Sequence, residues 1–433
     1  MSDEKNLFNG FTYKSSIWNF DKPTYFNHDI KKKDFLEVLS TTSSSEAMNK
    51  TGTLLFQIQQ SSNPLDICNS WMYYKIRIVN TDKVNATLEH NWFFNLFDQI
   101  SIKLGTNELE TIENPGEISS LLNFVMTDSD YKNQYGELTG WITEPNGNKI
   151  RQEIYGDNDD GFKFEGMYPL KNLFGFFQNY NHPIYLIPFE LRMVKNEYYK
   201  KYFYGKDAAV DAKLSIVFED LKLLVPSITC NPKLEQNVME RMNPSTPISI
   251  NYLKRITASI DIPIGSIYSW RPTTLNSRPR YILIGFKDAT PEFKEINSTF
   301  IQSKNDKDKV SQLKSIRIQL NTSFYPMNPL KFSYKDNYQA LPYFNYIEMC
   351  NIFGVDPQLN IRDFKNHYSL FCFNVSEQGE KLAMNGVNVT IEIEKDTEFK
   401  AKYYCVILTE NQVNIELKTG KMSTLSWESK SLR

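Results

Sequence analysis

Cysteine is scarce in this chain, and what there is lies scattered. Cys68, Cys230, Cys350, Cys372 and Cys405 stand far apart and form no CxxC pair. Neither a disulfide framework nor a zinc site is expected, and a reducing compartment fits best. Histidine is scarcer still: His28, His90, His182 and His367 have no partner at ligand spacing, so each reads as a surface or packed side chain. An excess of either charge is missing as well. Lys+Arg 49 against Asp+Glu 51 gives a net charge of −2, which supplies no field for holding nucleic acid in bulk or an anionic membrane. No apolar run approaches the length that spans a bilayer, and the opening MSDEKNLFNGF has no apolar signal-like core. A soluble protein, not exported by a signal, is expected.

Catalytic motifs are also lacking. There is no GxSxG, HExxH or GxxxxGK[ST], and the GKMST at 420–424 has the wrong residue after its lysine and no upstream glycine. The acidic run Asp157-Asn158-Asp159-Asp160-Gly161 evokes a calcium loop, but its glycine comes one position early and no glutamate closes it; turn chemistry explains it better. Glu392 and Glu394 alternate with apolar residues, which puts them on the outward face of a strand. The segment RMVKNEYYKKYFYGK interleaves Arg192, Lys195, Lys200, Lys201 and Lys206 with Tyr198, Tyr199, Tyr202, Phe203 and Tyr204. Cations with aromatic platforms can grip phosphates and bases, but aromatics packed on a neighbouring subunit with wet lysines are the preferred reading. KKKD at 31–34 is too short to mean more than an exposed arm. No catalytic, cofactor-binding or metal-ligating residue is assigned, no cofactor is expected, and the chain does not read as an enzyme.

What the chain does have is strand periodicity. Leu54, Phe56 and Ile58, then Ile100, Ile102 and Leu104, alternate with their neighbours, as do Tyr185, Ile187, Phe189 and Leu191. The second half repeats the period in Ile316, Ile318 and Leu320 and in Val387, Val389, Ile391 and Ile393. Further strands are expected at 71–79, 212–218, 257–264 and 400–408. Many strands, long connections and few helices predict an all-β sandwich architecture. In SRPRYILIGFKD (277–288) both alternating sets are apolar, so that strand should be covered on both sides.

Two helices occupy similar places in the two halves. Asn114-Pro115-Gly116-Glu117 reads as an N-cap, a first-turn proline and a capping carboxylate, followed by Ile118, Leu121, Leu122 and Val125 on one face. A second helix begins near Pro342, carries Tyr343, Tyr346, Ile347 and Cys350 at the same spacing and stops at Gly354. Length favours two domains, and this repeated order suggests two copies of one β-sandwich. The expected division is an N-terminal arm over 1–50, a first roll over 51–226, a linker over 227–246, a second roll over 247–420 and a tail over 421–433. The arm holds Phe8, Phe11, Trp18, Phe20, Tyr25 and Phe26. The stretch 127–183 reads as a long irregular insertion suited to external contacts.

The stretch SRPRYILIGFKD, followed by SIRIQLNTSFYPMNPLKFSYKDNYQALPYFNYIEMCNIFG, resembles the second jelly roll of double jelly-roll major capsid proteins, in particular those of Polintons, adintoviruses, polinton-like viruses and virophages. The matching features are Pro279-Arg280-Tyr281, Asn321 and Tyr325-Pro326, with a helix after them. Phe373-Asn374-Val375-Ser376 stands where that family has a Phe-Asp-Val-Ser-like turn, and Ala401-Lys402-Tyr403-Tyr404 where it has a Thr-x-Ala-Tyr-like strand start. The resemblance covers about 277–418, with HNWFFNLFDQISIKL and NPGEISSLLNFV as the best matches in the first half.

This resemblance implies two tandem eight-stranded jelly rolls with short helices in the connecting loops. It implies a homotrimer whose six rolls form a pseudo-hexagonal capsomer, and an icosahedral shell built from those capsomers. Penton or minor capsid proteins are the implied partners, with no sequence-specific nucleic-acid binding, and an internal membrane is left open. Location in the virion follows, after synthesis in host cytoplasm. The competing class is a β-sandwich glycan-binding protein or carbohydrate-active enzyme on the same fold, which would need clustered aromatics and a carboxylate pair on a concave face.

Overall fold

Alternation of apolar and polar residues becomes alternation of buried and exposed side chains wherever a strand has one face on a core. Leu54, Phe56 and Ile58 are buried, as are Ile100, Ile102 and Leu104, Ile316, Ile318 and Leu320, and Val387, Val389, Ile391 and Ile393. The computed structural model describes residues 30–41, 45–50, 52–59, 61, 63–80, 87–141, 162–180, 182–184, 187–199, 203–204, 214–232, 236, 248–263, 265–288, 313–333, 336, 338–367, 370–377, 386–395, 401–416 and 421–425.

In the first half the strands are β1 (Ile30–Leu39), β2 (Thr53–Ile58), β3 (Trp71–Asn80), β4 (Thr87–Leu88), β5 (Phe97–Leu104), β6 (Asn107–Glu113), β7 (Phe162–Pro169), β8 (Phe189–Lys195), β9 (Phe203–Tyr204) and β10 (Leu214–Cys230). They form one sheet in the order β1-β10-β3-β7 and another in the order β2-β8-β5-β6, with β4 and β9 as a small separate ribbon. The second half contributes β11 (Ile248–Ile262), β12 (Ile267–Leu275), β13 (Pro279–Asp288), β14 (Leu313–Leu320), β15 (Ser323–Lys331), β16 (Leu370–Asn374), β17 (Val387–Lys395), β18 (Ala401–Glu416) and β19 (Lys421–Leu425). Its sheets run β11-β18-β13-β16 and β12-β17-β14-β15, with β19 added beside β18. All the paired strands are antiparallel.

Setting the small ribbon and β19 aside, each half has eight strands among the described residues. Numbered one to eight along each half, they fall into the same two sheets in the same order, 1-8-3-6 and 2-7-4-5. That is the jelly-roll topology twice over. The two helices flagged by sequence, α3 (Pro115–Met126) and α6 (Ala340–Ile352), also match: each follows the fifth strand of its half. The other helices of the described residues are α1 (Ser45–Lys50), α2 (Trp92–Asn95), α4 (Ser129–Thr139), α5 (Gly175–Asn179) and α7 (Ile361–His367).

Several expectations change in detail. Residues 30–39, placed in the arm by their lack of period, pair along β10 as an edge strand; most of β1 is exposed, so it carries no two-residue burial signal. The part of the 127–183 stretch that is described is not irregular, since it contains α4, β7 and α5, while 142–161 lies outside the described residues. Residues 421–425 of the expected tail pair with β18. Finally, α3, whose apolar residues keep to one face, has no solvent-facing side: every residue from Pro115 to Val125 is buried. A helix buried on all sides sits between two bodies rather than on one.

Candidate functional site

The two faces of the apolar strand β13 belong to different cores. Ile282, Ile284 and Phe286 point into the second roll's core with Ile316, Ile391 and Tyr403. Leu283, on the other face, joins a continuous cluster that contains the first roll's interior and the packing of α6, including Leu121, Tyr346, Met349, Cys350 and Tyr404. The sheet β11-β18-β13-β16 is therefore both a wall of the second roll and the floor on which the first roll rests. That seam explains why neither face of β13 is polar.

Helix α3 lies in the seam against β18 and β13, α5 packs on β11, and α6 covers β16 and touches α3. The approach at α5 is backbone-close: a Cβ on Gly175 would lie 1.8 Å from Leu253 O. Only glycine fits there.

Polar groups are buried with the apolar ones, and nearly all of the named pairs cross between the halves. The Lys287 ammonium of β13 donates to both oxygens of Glu89, at 3.0 and 2.9 Å, and stands 3.7 Å from Glu117 Oε1 of α3. Tyr404 on β18 donates its hydroxyl to Glu117 Oε1 at 2.9 Å. Sequence reasoning gave Glu117 a capping role at its own helix; instead it faces the other roll. Asn114 holds the N-cap position in a left-handed conformation without a side-chain cap, and its amide donates to Ser259 Oγ of β11 at 3.2 Å. At the far end of α3, Gln358 donates to Asn123 O and to both oxygens of Thr127, and accepts from Trp141 Nε1 at 3.0 Å. The Tyr346 hydroxyl donates to Phe124 O at 3.1 Å.

Arg255 of β11 is the largest charged side chain in the seam and is 1% exposed. Its Nη1 donates to Asn172 O at 2.8 Å, and its Nη2 to Gln178 Oε1 at 2.8 Å with Met126 Sδ at 3.5 Å. Glu110 accepts from the backbone N–H of Arg255 at 2.7 Å and from that of Phe176 at 2.9 Å. Burial pushes the Glu110 carboxyl above its ordinary value against the pull of Arg255, and pushes the Arg255 guanidinium down to about 10. A cavity of about 260 Å³ opens beside Arg255, lined also by Asn123, Met126, Thr127, Lys171, Asn172 and Gln178. This lining contains no carboxylate, so it is not the paired-acid groove that a carbohydrate-active enzyme would need.

The motif residues behind the resemblance have structural work. Arg280 opens β13 by donating its Nε to Glu410 of β18 at 2.6 Å and its Nη1 to Ser376 O at 2.7 Å. Asn374 Oδ1 accepts from Ser376 N at 3.0 Å, which an aspartate would do equally well. Asn321 has a φ of 52° in the turn after β14 and exchanges bonds with Asn388 N and Gly386 O. Tyr325-Pro326 is a cis peptide.

The side chains considered for chemistry are dispersed. His90 is packed edge-on against Trp141 and Phe124, and His182 lies beside Tyr180; the side chain of His367 and all of His28 lie outside the described residues. The acidic run 157–161 does too. Glu392 pairs with Arg317 at 2.5 Å, and Glu394 accepts from Ser315 at 2.9 Å. From the basic and aromatic segment, Lys195 turns inward to Met48 O and Phe218, and Tyr199 accepts from Ile216 N, while Tyr198 is exposed; Lys200, Lys201, Tyr202 and Lys206 lie outside the described residues. Lys32 and Lys33 pair with Asp34 and Asp66. Among the described residues no group of three or more His, Cys, Asp and Glu could hold a metal ion, and no helix is long and apolar enough to cross a membrane. Sequence reasoning missed Arg255, Lys287, Glu89 and Gln358. The signal for Lys287 was a cation directly after a strand that is apolar on both faces; Arg255, next to Lys254 and just before the strand expected at 257–264, gave none, and neither did Glu89 and Gln358, which sit outside long elements.

Among the described residues, large apolar side chains are exposed singly at Tyr198, Ile267 and Met327 and as groups in two places. Around α6 they are Tyr338, Leu341, Phe344, Ile352 and Ile361; on β1 they are Ile30, Phe35, Leu36 and Leu39. Clusters of this kind mark contact surfaces.

Comparison with known proteins agrees with this architecture. The Sputnik virophage structure solved by cryo-EM superposes with a TM-score of 0.60 at 10% identity, covering 100% of this chain and 97% of that one. The mavirus major capsid protein gives 0.52 at 11% identity, covering 99% and 98%. A quasi-atomic model of the PBCV-1 virus capsid gives 0.57 at 13%, covering 94% and 99%. No curated protein sequence matches. The family model for the double jelly roll-like domain matches residues 86–413, taking in parts of both rolls and the whole seam, and the chain belongs to the double jelly roll-like domain family.

Proposed function

We propose that this chain is the major capsid protein of a virus: a structural, non-enzymatic subunit that trimerises into a pseudo-hexagonal capsomer and tiles an icosahedral shell. The observation that carries this reading is the repetition of one strand order in two rolls fused through a buried seam. Two like lobes fixed rigidly in one chain become six around a threefold axis, which turns trimeric symmetry into a tile with hexagonal packing. The exposed apolar residues of α6 and β1 supply surface for such contacts, since aromatic and aliphatic side chains concentrate in stable interfaces. The solved relatives are described as virus capsids or capsid proteins, which favours the same class here. On this reading one roll runs from β1 to β10, the other from β11 to β19, and the joint lies between them. Minor or penton proteins would close the vertices, and the virion is the protein's place.

Light scattering and electron microscopy of the purified chain test the proposal. Three chains of 50.6 kDa give a particle of about 152 kDa with threefold projections, or closed shells. A monomer at every concentration, without rings or shells under any assembly condition, would remove the capsid reading while leaving the fold untouched.

A further inference from the structure

The cavity beside Arg255 has features that the architecture alone does not require. A guanidinium carries five N–H donors, and burying it is costly unless they are met. Here Nη1 and Nη2 have the acceptors described above, one of them a thioether sulfur, which accepts only weakly. Nε is buried and has no partner, and neither does Nδ2 of Asn123, which is also fully buried and lines the same cavity. No carboxylate hydrogen-bonds the guanidinium among the described residues; Glu110 acts on it through charge alone, its two oxygens each accepting from a backbone N–H. The Nε–Nη2 edge is the one that holds an oxyanion side-on through two parallel bonds, and Nη2 can join Nε in doing so by exchanging its weak sulfur contact with Met126 for the anion while keeping Gln178. At the mouth Lys171 adds a second, exposed cation. Donors thus outnumber acceptors around a space of about 260 Å³, more than a single water fills.

We propose that this cavity is an anion site for a phosphate-class oxyanion, held by Arg255 and Asn123 at its floor and by Lys171 at its mouth. The ion would come either as free inorganic phosphate or as the phosphate of a nucleotide. Because the lining comes from α3 and the α5 region of the first roll and from β11 of the second, a bound oxyanion fastens the two rolls to each other. Its charge also meets the one that burial leaves costly on Arg255. The inference is independent of the capsid reading, since the cavity lies within one chain.

The test is thermal unfolding of the full chain, titrated with sodium phosphate and separately with AMP against sodium chloride at matched ionic strength. The expected result is a saturable rise in midpoint with phosphate that chloride does not reproduce, and at least a tenfold weaker apparent affinity in Lys171→Glu, each variant being read against its own phosphate-free midpoint. Arg255→Lys keeps the charge, removes the side-on edge and should abolish the saturable phase. A rise with phosphate but not AMP assigns free phosphate; a rise with both assigns a site open to nucleotides. No saturable rise with either ligand, or a rise equal in wild type and Lys171→Glu, overturns the proposal and leaves a water-filled seam.

Discussion

Tyr404 of the second roll donates its hydroxyl to Glu117 of the first at 2.9 Å, with both side chains buried. Nothing in either roll alone requires a tyrosine or a glutamate there. The pair exists because two sandwiches that could each have closed on themselves share one wall, and a charged group at the shared wall must find its partner across it. With Lys287 between Glu89 and Glu117, the seam is locked by geometry as well as by apolar contact, and the two rolls have a fixed register.

Tyr404→Phe should cost about 1–3 kcal/mol, since it leaves a buried carboxylate short of a donor. Lys287→Met should cost more, about 3–5 kcal/mol, because it strands Glu89 and Glu117 beside each other without their cation. Urea unfolding followed by tryptophan fluorescence reads both. A double-mutant cycle between Tyr404→Phe and Glu117→Gln should return a coupling energy of about 0.5–3 kcal/mol; additivity would mean that the bond is not formed in solution.

Neighbouring residues of β13 should fail in different ways. Leu283→Ala and Ile284→Ala each remove a fully buried side chain and should each cost about 2–5 kcal/mol. Leu283 faces the seam and Ile284 the second roll's interior. Loosening the seam should let the rolls unfold separately, so calorimetry of Leu283→Ala should resolve two transitions. Ile284→Ala should lower the second roll's transition and leave the first roll's own stability intact. Identical single transitions in both variants would show that the seam has no separate energetic identity.

How far this was legible from sequence depends on which face of an element is concerned. A period of two in Leu54, Phe56 and Ile58, or in Val387 to Ile393, reports a single wall between core and water, and the strands lie where that pattern put them. The doubly apolar Tyr281 to Phe286 reported a strand with two covers but not what the second cover was. Seam residues defeat periodicity altogether: α3 carries Glu117, Ser119, Ser120 and Asn123 in positions that look solvent-facing, and all are buried. Their partners lie more than 200 residues away for Gln358 to Thr127 and for Tyr404 to Glu117, and no local pattern encodes such a pairing. Edge strand β1 was missed for the opposite reason, since an exposed edge has little to alternate.

Lys195 gives the chain a readable pH dependence. Its ammonium donates to Met48 O and lies 5.1 Å over the Phe218 ring, and burial pushes its pKa from 10.5 down to about 8. Between those values the unfolded chain binds the proton and the folded chain does not, so this group adds stability as pH rises through the window and adds nothing further below pH 8. Tyrosines such as Tyr180, raised to about 12 by burial, act the other way at the alkaline end, so the comparison must be with Lys195→Met. The wild-type urea midpoint minus the variant's should climb from pH 8 to pH 10. A flat difference would mean that the amine reaches water.

The exposed side of α6 is the sharpest test of assembly. Leu341 is 58% exposed and Phe344 53%, and Tyr338 just before the helix is 71% exposed, while Tyr346, Met349 and Cys350 on the opposite side are locked into the seam. Changing Leu341 and Phe344 together to Asp removes no internal contact of consequence, so the midpoint of unfolding at low protein concentration should stay within about 0.5 kcal/mol of wild type. If this side meets a neighbouring copy, two carboxylates placed in a desolvated interface will prevent association. Light scattering should then fall from about three times 50.6 kDa to that single mass. Phe35→Asp with Leu39→Asp makes the same test on one face of β1, whose outer edge has no strand partner among the described residues. Loss of the trimer in the first variant alone assigns threefold contact to α6, and loss in the second alone assigns it to β1. A trimer that survives both pairs rules out these two surfaces as its interface, because an apolar contact area cannot absorb buried charge at its centre and keep its affinity.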